Sequence, residues 1–169
     1  TLDVTPVNDA PVVDAITDQV IDEDGSLTLE LSGTDVDGDD LTFSASASNA
    51  TATVEGTVLT VTPAADYNGT IIVSVTANDG ALDGIGSFIL EVTPVNDAPV
   101  LDIIDNQSID EDNSLTIELS ASDIDGNQLY FGAEIDGNAD FSLQDNQLTI
   151  NPYQDWYGDI LVTVSVTDT

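Results

Sequence analysis

The sequence predicts an all-β protein made of two antiparallel β-sandwiches in tandem. The nine residues VTPVNDAPV occur twice, at Val4–Val12 and at Val92–Val100, and this repeat indicates two copies of one unit. Within each copy, short β-branched runs alternate apolar and polar residues and are bounded by Gly, Asp, Asn and Pro. No segment has a helical period of useful length, so strands are the only regular element that we expect.

The repeat continues through each unit. Asp22 corresponds to Asp110 at a spacing of 88, and after one inserted residue Asp66 corresponds to Asp155 at a spacing of 89. We place the boundaries at the prolines of the repeated segment, because proline cannot donate to a strand ladder. Residues 1–5 are then the last strand of a preceding or neighbouring repeat, residues 6–93 form repeat 1, and residues 94–169 form repeat 2, truncated before its last strand.

Five runs of repeat 1 have the strand pattern: Ser26–Ser32, Leu41–Ser46, Thr57–Thr62, Thr70–Ala77 and Ser87–Thr93. About seven short strands in just under ninety residues are typical of an immunoglobulin-like sandwich of two antiparallel sheets. The fold class that we predict is therefore two immunoglobulin-like sandwiches, the second without its last strand.

The composition excludes many functions. The chain has 33 Asp and Glu and no Lys, Arg, His or Cys, so its formal charge is −33 and no salt bridge to a basic side chain can form. Nucleic acid is excluded as a partner, because its phosphates would meet only like charge. Catalysis that needs His, Cys or Lys is excluded as well. The remaining carboxylates lie at repeat positions on turns, so we expect no enzyme. No apolar run is long enough to span a bilayer, so we expect no direct membrane insertion.

Four motifs occur in the same order along the repeats: PVNDAP at the junctions, DED before a strand, TDVDGD or SDIDGN after it, and ANDG before the last strand. In these motifs the chain resembles the bacterial cadherin-like tandem repeats of large surface adhesins and other secreted proteins. The resemblance covers the whole chain and implies an extracellular location at the cell surface. Cadherins bind calcium at the corresponding positions between domains, so the resemblance implies calcium as cofactor here.

The residues themselves favour the same ion. Two charges about 4 Å apart repel by roughly 1 kcal/mol in water and about 4 kcal/mol at an intermediate dielectric, so converging carboxylates need a cation. Only oxygen ligands are available, and six to eight flexible ligands favour Ca²⁺ over Mg²⁺. The central junction would take Asp22, Glu23, Asp24 and Asp66 from repeat 1, Asn96 and Asp97 from the linker, and Asp123, Asp125 and Asp168 from repeat 2. Half-sites before and after the chain would take Asn8, Asp9, Asp35, Asp37 and Asp79, and Asp110, Glu111, Asp112 and Asp155.

Several interpretations stay open at this point. Asp, Asn and Gly are also the residues that turns need, so the acidic clusters could be solvated loops. The primary functional hypothesis is a calcium-rigidified rod or filament segment of a bacterial surface adhesin. The alternative is an adhesion module that binds surface polysaccharide or like repeats, and Tyr153, Trp156 and Tyr157 are its candidate sugar platform. Trp156 aligns with Tyr67, however, where such sandwiches often place a packed corner aromatic.

The two ends of the chain complement each other. TLDVT at Thr1–Thr5 matches ILEVT at Ile89–Thr93, the last strand of repeat 1, whereas repeat 2 has no such strand. Either the chain is a window of a longer array, or copies associate head to tail by donor-strand addition. In the second case we expect Thr1–Thr5 to run beside Ile160–Thr167 of a neighbouring chain.

Overall fold

The computed structural model describes residues 1–169 and contains only strands and connecting loops. The chain divides into two compact units, Thr1–Val95 (unit 1) and Asn96–Thr169 (unit 2). The all-β, tandem-sandwich fold predicted from the sequence is confirmed. The predicted repeat boundaries after residues 5 and 93 stay a prediction.

Unit 1 is a sandwich of a four-stranded and a three-stranded sheet. The first sheet has the order β2-β9-β8-β5, the second has the order β3-β7-β6, and β1 pairs separately with β4. All pairs are antiparallel except β2 with β9, which is parallel. The strands are β1 (Val12–Val13), β2 (Gln19–Asp22), β3 (Leu27–Glu30), β4 (Gly33–Thr34), β5 (Thr42–Ala47), β6 (Ala50–Glu55), β7 (Val58–Pro63), β8 (Gly69–Asn78) and β9 (Asp83–Thr93).

The core of unit 1 follows directly from the alternation of its longest strands. In β8 the buried positions are every second residue, and in β9 Phe88, Leu90 and Val92 face the same interior while their neighbours face solvent. Leu59 and Val61 of β7 supply the opposite wall and are fully buried. The last strand is therefore a central part of the core in unit 1.

Glycine is required where the segment before β1 crosses β9. A Cβ on Gly84 would lie 1.8 Å from the carbonyl oxygen of Pro11, a contact that no side chain could make without moving the backbone. This close approach fixes the start of unit 1 against β9.

Unit 2 repeats this architecture with two strands fewer. Its three-stranded sheet has the order β11-β15-β14, β13 pairs with β16, and β10 pairs with β12. The strands are β10 (Val100–Leu101), β11 (Leu115–Glu118), β12 (Ala121–Ser122), β13 (Tyr130–Asp136), β14 (Ala139–Gln144), β15 (Gln147–Pro152) and β16 (Leu161–Thr167). In unit 2 the counterparts of β2, residues 107–110, form no strand, and residues 96–169 contain no counterpart of β9.

The core of unit 2 is smaller for this reason. Leu119 and Leu148 are buried, as are their counterparts in unit 1. Ile160, Val162 and Val164 of the last strand region are only half-buried, whereas the equivalent residues of β8 are at most 1 % exposed. One face of the interior of unit 2 is open to solvent.

Candidate metal centres

Each unit carries two acidic clusters, one near each end of β8 in unit 1 and of its counterpart β16 in unit 2. We call them the upper and lower clusters, because in unit 1 the lower one surrounds the start of β8 at Gly69 and the upper one surrounds its end at Asn78. The upper cluster of unit 1 is Asn8, Asp9, Asp35, Asp37, Asp39 and Asp79. The lower cluster of unit 1 is Asp22, Glu23, Asp24 and Asp66.

Asp35 organises the loop between β4 and β5. Its Oδ1 accepts hydrogen bonds from the backbone N–H groups of Asp37 at 2.8 Å, Gly38 at 3.1 Å and Asp39 at 3.4 Å. Asp residues favour such turns, because the carboxylate accepts the N–H groups in place of backbone carbonyls. Gly38 takes the positive φ of 83° that the turn requires. The loop therefore holds three carboxylates in a fixed arrangement.

The other oxygen of Asp35 has no such partner. Its Oδ2 is buried and accepts no hydrogen bond. Asp35, Asp37 and Asp39 each present a carboxylate oxygen, and these oxygens lie within 4.8 Å of one another. At that separation a pair of charges repels by about 1 kcal/mol in water and about 3 kcal/mol at an intermediate dielectric. An oxygen that is buried, charged and unpartnered is the position that a hard cation would satisfy.

The segment Asn8–Asp9, near the start of unit 1, attaches to the same cluster. Asn8 donates from Nδ2 to Asp79 Oδ2 at 2.9 Å, and the backbone N–H of Asp9 donates to Asp37 Oδ2 at 2.8 Å. The backbone N–H groups of Leu82 and Ala81, with the Asn8 amide, lower the pKa of the Asp79 carboxyl from its ordinary value of 3.8. Asp79 thus stays ionised to lower pH than an ordinary Asp.

The upper cluster of unit 2 has the same geometry. It comprises Asn96, Asp97, Asp123, Asp125, Asn127 and Asp168. Asn96 donates to Asp168 Oδ2 at 2.7 Å, and the N–H of Asp97 donates to Asp125 Oδ2 at 2.8 Å. Asp123 again accepts a loop N–H through Oδ1, while its Oδ2 is buried without a partner. The unpartnered oxygen is therefore a property of the motif in both units.

The lower cluster of unit 1 is organised by the end of β9. Glu23 is only 5 % exposed, and its Oε1 accepts the backbone N–H of Val95 at 2.6 Å. The backbone N–H of Glu23 donates to the Thr93 carbonyl at 2.9 Å, and the Thr93 hydroxyl donates to Asp22 Oδ1 at 2.6 Å. Two residues at the end of the last strand thus fix two acidic side chains of the DED motif.

Asp24 and Asp66 have a structural role in the same cluster. Both have positive φ, at 59° and 55°, a conformation that Asp tolerates better than most residues. The N–H of Asp66 donates to Asp24 Oδ1 at 3.4 Å. Asp suits these positions because the turn requires a positive φ. The carboxylate oxygens that accept no hydrogen bond in the turn are available as ligands.

The lower cluster of unit 2 consists of Asp110, Glu111, Asp112 and Asp155. The turn is kept, because Asp112 and Asp155 again have positive φ and the N–H of Asp155 donates to Asp112 Oδ1 at 2.9 Å. Glu111, however, is exposed, whereas its counterpart Glu23 is buried. Unit 2 contains no counterpart of Thr93 and Val95 to hold it.

The structure adds two candidates that the sequence had not singled out. Asp39 belongs to the carboxylate group of Asp35, and its counterpart Asn127 donates to Asn96 Oδ1 at 2.6 Å. Both occupy the last position of the TDVDGD and SDIDGN motifs. Because Asp39 and Asn127 occupy equivalent positions of the repeat, the sequence alone could have identified them as candidate ligands.

The aromatic residues are divided between packing and exposure. Tyr67 packs against the core of unit 1 and donates its hydroxyl to the Thr70 carbonyl at 3.3 Å. The ring of Trp156 lies against Gly158, with Cζ2 at 3.4 Å from the position of a glycine Cβ, and its Nε1 is buried without a partner. Tyr153 and Tyr157 are 51 % and 84 % exposed. Trp156 is therefore half-buried, whereas Tyr153 and Tyr157 are exposed.

Two immunoglobulin-like sandwiches in tandem, each with acidic clusters on its end loops, define the class of this protein. The family model described as a bacterial Ig domain matches residues 8–86 and 96–169. The chain belongs to this family, in two tandem copies.

Solved structures with the same fold include cadherin repeats. Human protocadherin-24 EC1-2 is 18 % identical with a TM-score of 0.61, and the alignment covers 95 % of this chain and 88 % of that one. Drosophila N-cadherin EC1-4 is 16 % identical with a TM-score of 0.56, covering 95 % of this chain and 48 % of that one. At these identities the likeness concerns the fold alone.

A curated relative is chitinase A of Pseudoalteromonas piscicida. It is 32 % identical over 114 residues, which are 62 % of this chain. The match spans only 13 % of the length of that protein. In the structure of the present chain, no helix has the length and hydropathy needed to cross a membrane.

Proposed function

We propose that the chain is a non-catalytic structural segment of a bacterial extracellular surface protein, stiffened by calcium ions bound at the junctions of its repeats. The observation that carries the proposal is the buried, unpartnered Oδ2 of Asp35 and of Asp123, at equivalent positions of the two units. The family, the cadherin-like motifs and the complete lack of basic side chains support it. A cation is the partner that these oxygens lack.

The ligands would come from the two kinds of cluster. The lower cluster of unit 1 and the upper cluster of unit 2 each provide several carboxylates for such an ion. The upper cluster of unit 1 and the lower cluster of unit 2 would serve junctions with neighbouring repeats. Calcium would neutralise self-repulsion in a chain of formal charge −33 and convert a flexible series of domains into a spacer.

Head-to-tail association of copies by strand complementation is the second part of the proposal. The match of TLDVT at Thr1–Thr5 with ILEVT at Ile89–Thr93, the last strand of repeat 1, supports it. Homophilic or carbohydrate adhesion is the competing function, and the exposed Tyr153 and Tyr157 favour it. Binding of soluble polysaccharide that is lost on Tyr157→Ala, with melting unaffected by calcium, would favour this competitor.

Asp35→Asn and Asp123→Asn test the calcium site directly. Asparagine keeps the oxygen that accepts the loop N–H groups and replaces the unpartnered oxygen by an amide. In chelator each variant should melt at or above the wild-type temperature, because an uncompensated buried charge has been removed. In calcium each should lose most of the ion-induced increase in melting temperature that the wild type shows.

Glu55→Gln is the matched control, since Glu55 is exposed at the end of β6, outside every cluster, and the charge change is the same. Calorimetric titration with calcium chloride should show lost sites in Asp35→Asn and Asp123→Asn and wild-type binding in Glu55→Gln. Equal binding by all four proteins would contradict the proposal.

A further inference from the structure

The outward face of the four-stranded sheet in unit 1 carries exposed isoleucines. Ile72 of β8 and Ile89 of β9 lie directly opposite each other and are 64 % and 42 % exposed. Ile85, two outward positions earlier on β9, is 75 % exposed. The outward positions of a sheet that faces water on one side are usually polar. Exposed apolar side chains that share one face therefore indicate an interaction surface.

We call this surface the neutral face, because its outward residues form three cross-strand rows without a carboxylate. The rows are Ile72–Ile89, Ser46–Ser74–Ser87 and Ser44–Thr76–Ile85. The carboxylates at its border each accept a hydrogen bond: Glu91 from the Thr70 hydroxyl at 2.9 Å, Asp83 from the Asn78 amide at 2.7 Å, and Asp18 from the backbone N–H of Ile89 at 2.8 Å. In a chain with 33 acidic residues, the neutral face is a gap in the surface charge.

Two exposed apolar residues on other strands show a different arrangement. Val58 of β7 has a glutamate opposite it on each side, Glu30 on β3 and Glu55 on β6. Leu161 of β16 is 66 % exposed and lies opposite Asp136 on β13. A carboxylate beside an exposed apolar side chain opposes self-association, because the contact would bury the charge without a partner. The neutral face lacks this protection.

We propose that the neutral face binds the neutral face of a second copy of this chain, side by side. A copy carries the same formal charge of −33, so it can approach closely only where carboxylates are absent. A two-fold axis through the Ser74–Ser87 row would place the Ile72–Ile89 row of one copy over the Ser44–Thr76–Ile85 row of the other. The face is therefore self-complementary, as a closed contact between two identical surfaces requires.

The size of the sheet fits a weak, reversible contact. At about 4.8 Å between strands and about 3.3 Å per residue, its four strands outline a face of roughly 500 Å². Two such faces would bury about 1,000 Å², the lower limit for a specific interface. The contact would join spacer segments laterally. It goes beyond the function proposed above, since it requires neither calcium nor strand complementation.

The first test is sedimentation velocity of the whole chain from micromolar to millimolar concentration. Wild type should show a reversible monomer–dimer equilibrium, because a two-fold contact closes. Ile72→Asp and Ile89→Asp should weaken dimerisation by about tenfold or more, since each places a carboxylate in the contact. Leu161→Asp is the matched control: it has the same charge change at the equivalent position of unit 2 and should dimerise within about twofold of wild type.

Thermal melts of the same variants separate association from folding. If Ile72→Asp lowers the melting temperature, Ile72→Thr replaces it, because threonine is also β-branched and suits a strand. Ile72→Thr should weaken dimerisation by about threefold or more. Wild type that stays monomeric throughout the range would overturn the proposal. So would an open-ended series of species that Ile72→Asp leaves unchanged.

Salt gives a second, independent readout. Raising sodium chloride from about 0.1 M to about 1 M shortens the screening length from about 10 Å to about 3 Å. Dimerisation should then strengthen by about fivefold or more, because the remaining carboxylates of the two copies repel each other less. Association that weakens as salt is added would indicate an ionic contact and contradict the proposal.

The third test identifies the surface in contact. The chain contains no cysteine, so a single introduced cysteine can be cross-linked only to its copy. Ser87→Cys lies in the middle row of the neutral face, whereas Thr53→Cys lies at an exposed position of β6 in the other sheet. A short bis-maleimide reagent should convert Ser87→Cys into covalent dimers in much higher yield than Thr53→Cys. Equal yields, or a higher yield for Thr53→Cys, would assign the contact to another surface and overturn the proposal.

Discussion

Unit 1 and unit 2 are two copies of one sequence pattern, and unit 1 has two strands, β2 and β9, that residues 96–169 do not form. Where β9 is present, β2 forms beside it, the interior is closed and Glu23 is buried. Where its counterpart is absent, residues 107–110 form no strand, the interior is open and Glu111 is exposed. The last strand therefore controls both the core and the lower acidic cluster, the two features on which a junction depends.

Truncation of one equivalent core leucine in each unit should give the largest effect. Leu59 and Leu148 are both fully buried, Leu59 in the closed sandwich of unit 1 and Leu148 beside the open interior of unit 2. Leu59→Ala should lower the free energy of unfolding of unit 1 by about 2–5 kcal/mol. Leu148→Ala should lower the free energy of unfolding of unit 2 by less. The space that the leucine leaves would join the open interior of unit 2, which solvent already reaches. Urea unfolding followed by amide NMR signals of each unit measures both values, and equal costs would contradict the comparison.

The equivalent glutamates should differ next. Glu23→Ala removes the acceptor of the Val95 N–H and should destabilise unit 1 by about 1–3 kcal/mol. Glu111→Ala should change the free energy of unfolding of unit 2 by no more than about 0.5 kcal/mol, because Glu111 is exposed. Glu55→Ala controls for the loss of one negative charge. The same urea measurement applies, and a Glu111 effect as large as that of Glu23 would refute the ordering role of the last strand.

The smallest effect concerns the upper cluster of unit 1. Hydrogen bonds lower the pKa of the Asp79 carboxyl below 3.8, so the folded state binds this proton less readily than the unfolded chain does. The resulting stabilisation is fully present above pH 3.8 and is lost as pH falls through the lower folded value. Asn8→Ala should move this pKa part of the way back up, in a carboxyl-detected NMR titration in chelator. An unchanged Asp79 pKa would contradict the contact between Asn8 and Asp79.

Much of this architecture was predictable because it is local. Alternation within β7 and β8 indicates strands in any context, and the Asp-x-Asp-Gly loops fold around their own first Asp. β6 was not predicted, since its ATATVE run has weak apolar alternation and forms by pairing with β7. β2 escapes sequence analysis for a stronger reason, because it is a strand only through a parallel partner some seventy residues away.

The candidate sites divide in the same way. The acidic motifs and their ligand types are visible in the sequence, whereas the burial of Glu23 is not, because it depends on Val95 at a distance of 72 residues. The DED motif is identical in the two units, so it does not show that Glu23 is buried and Glu111 exposed. The unpartnered oxygens of Asp35 and Asp123 likewise become visible only when the loop has folded around the other oxygen of each carboxylate.

Calcium dependence of shape and stability tests the central claim most directly. Small-angle scattering and a thermal melt of the chain would be recorded in millimolar calcium and in excess chelator. The account predicts an extended, stiff particle in calcium. In chelator it predicts a bent, heterogeneous ensemble that melts about 10 °C lower or more. Superimposable scattering curves with melting temperatures within about 2 °C of each other would contradict it.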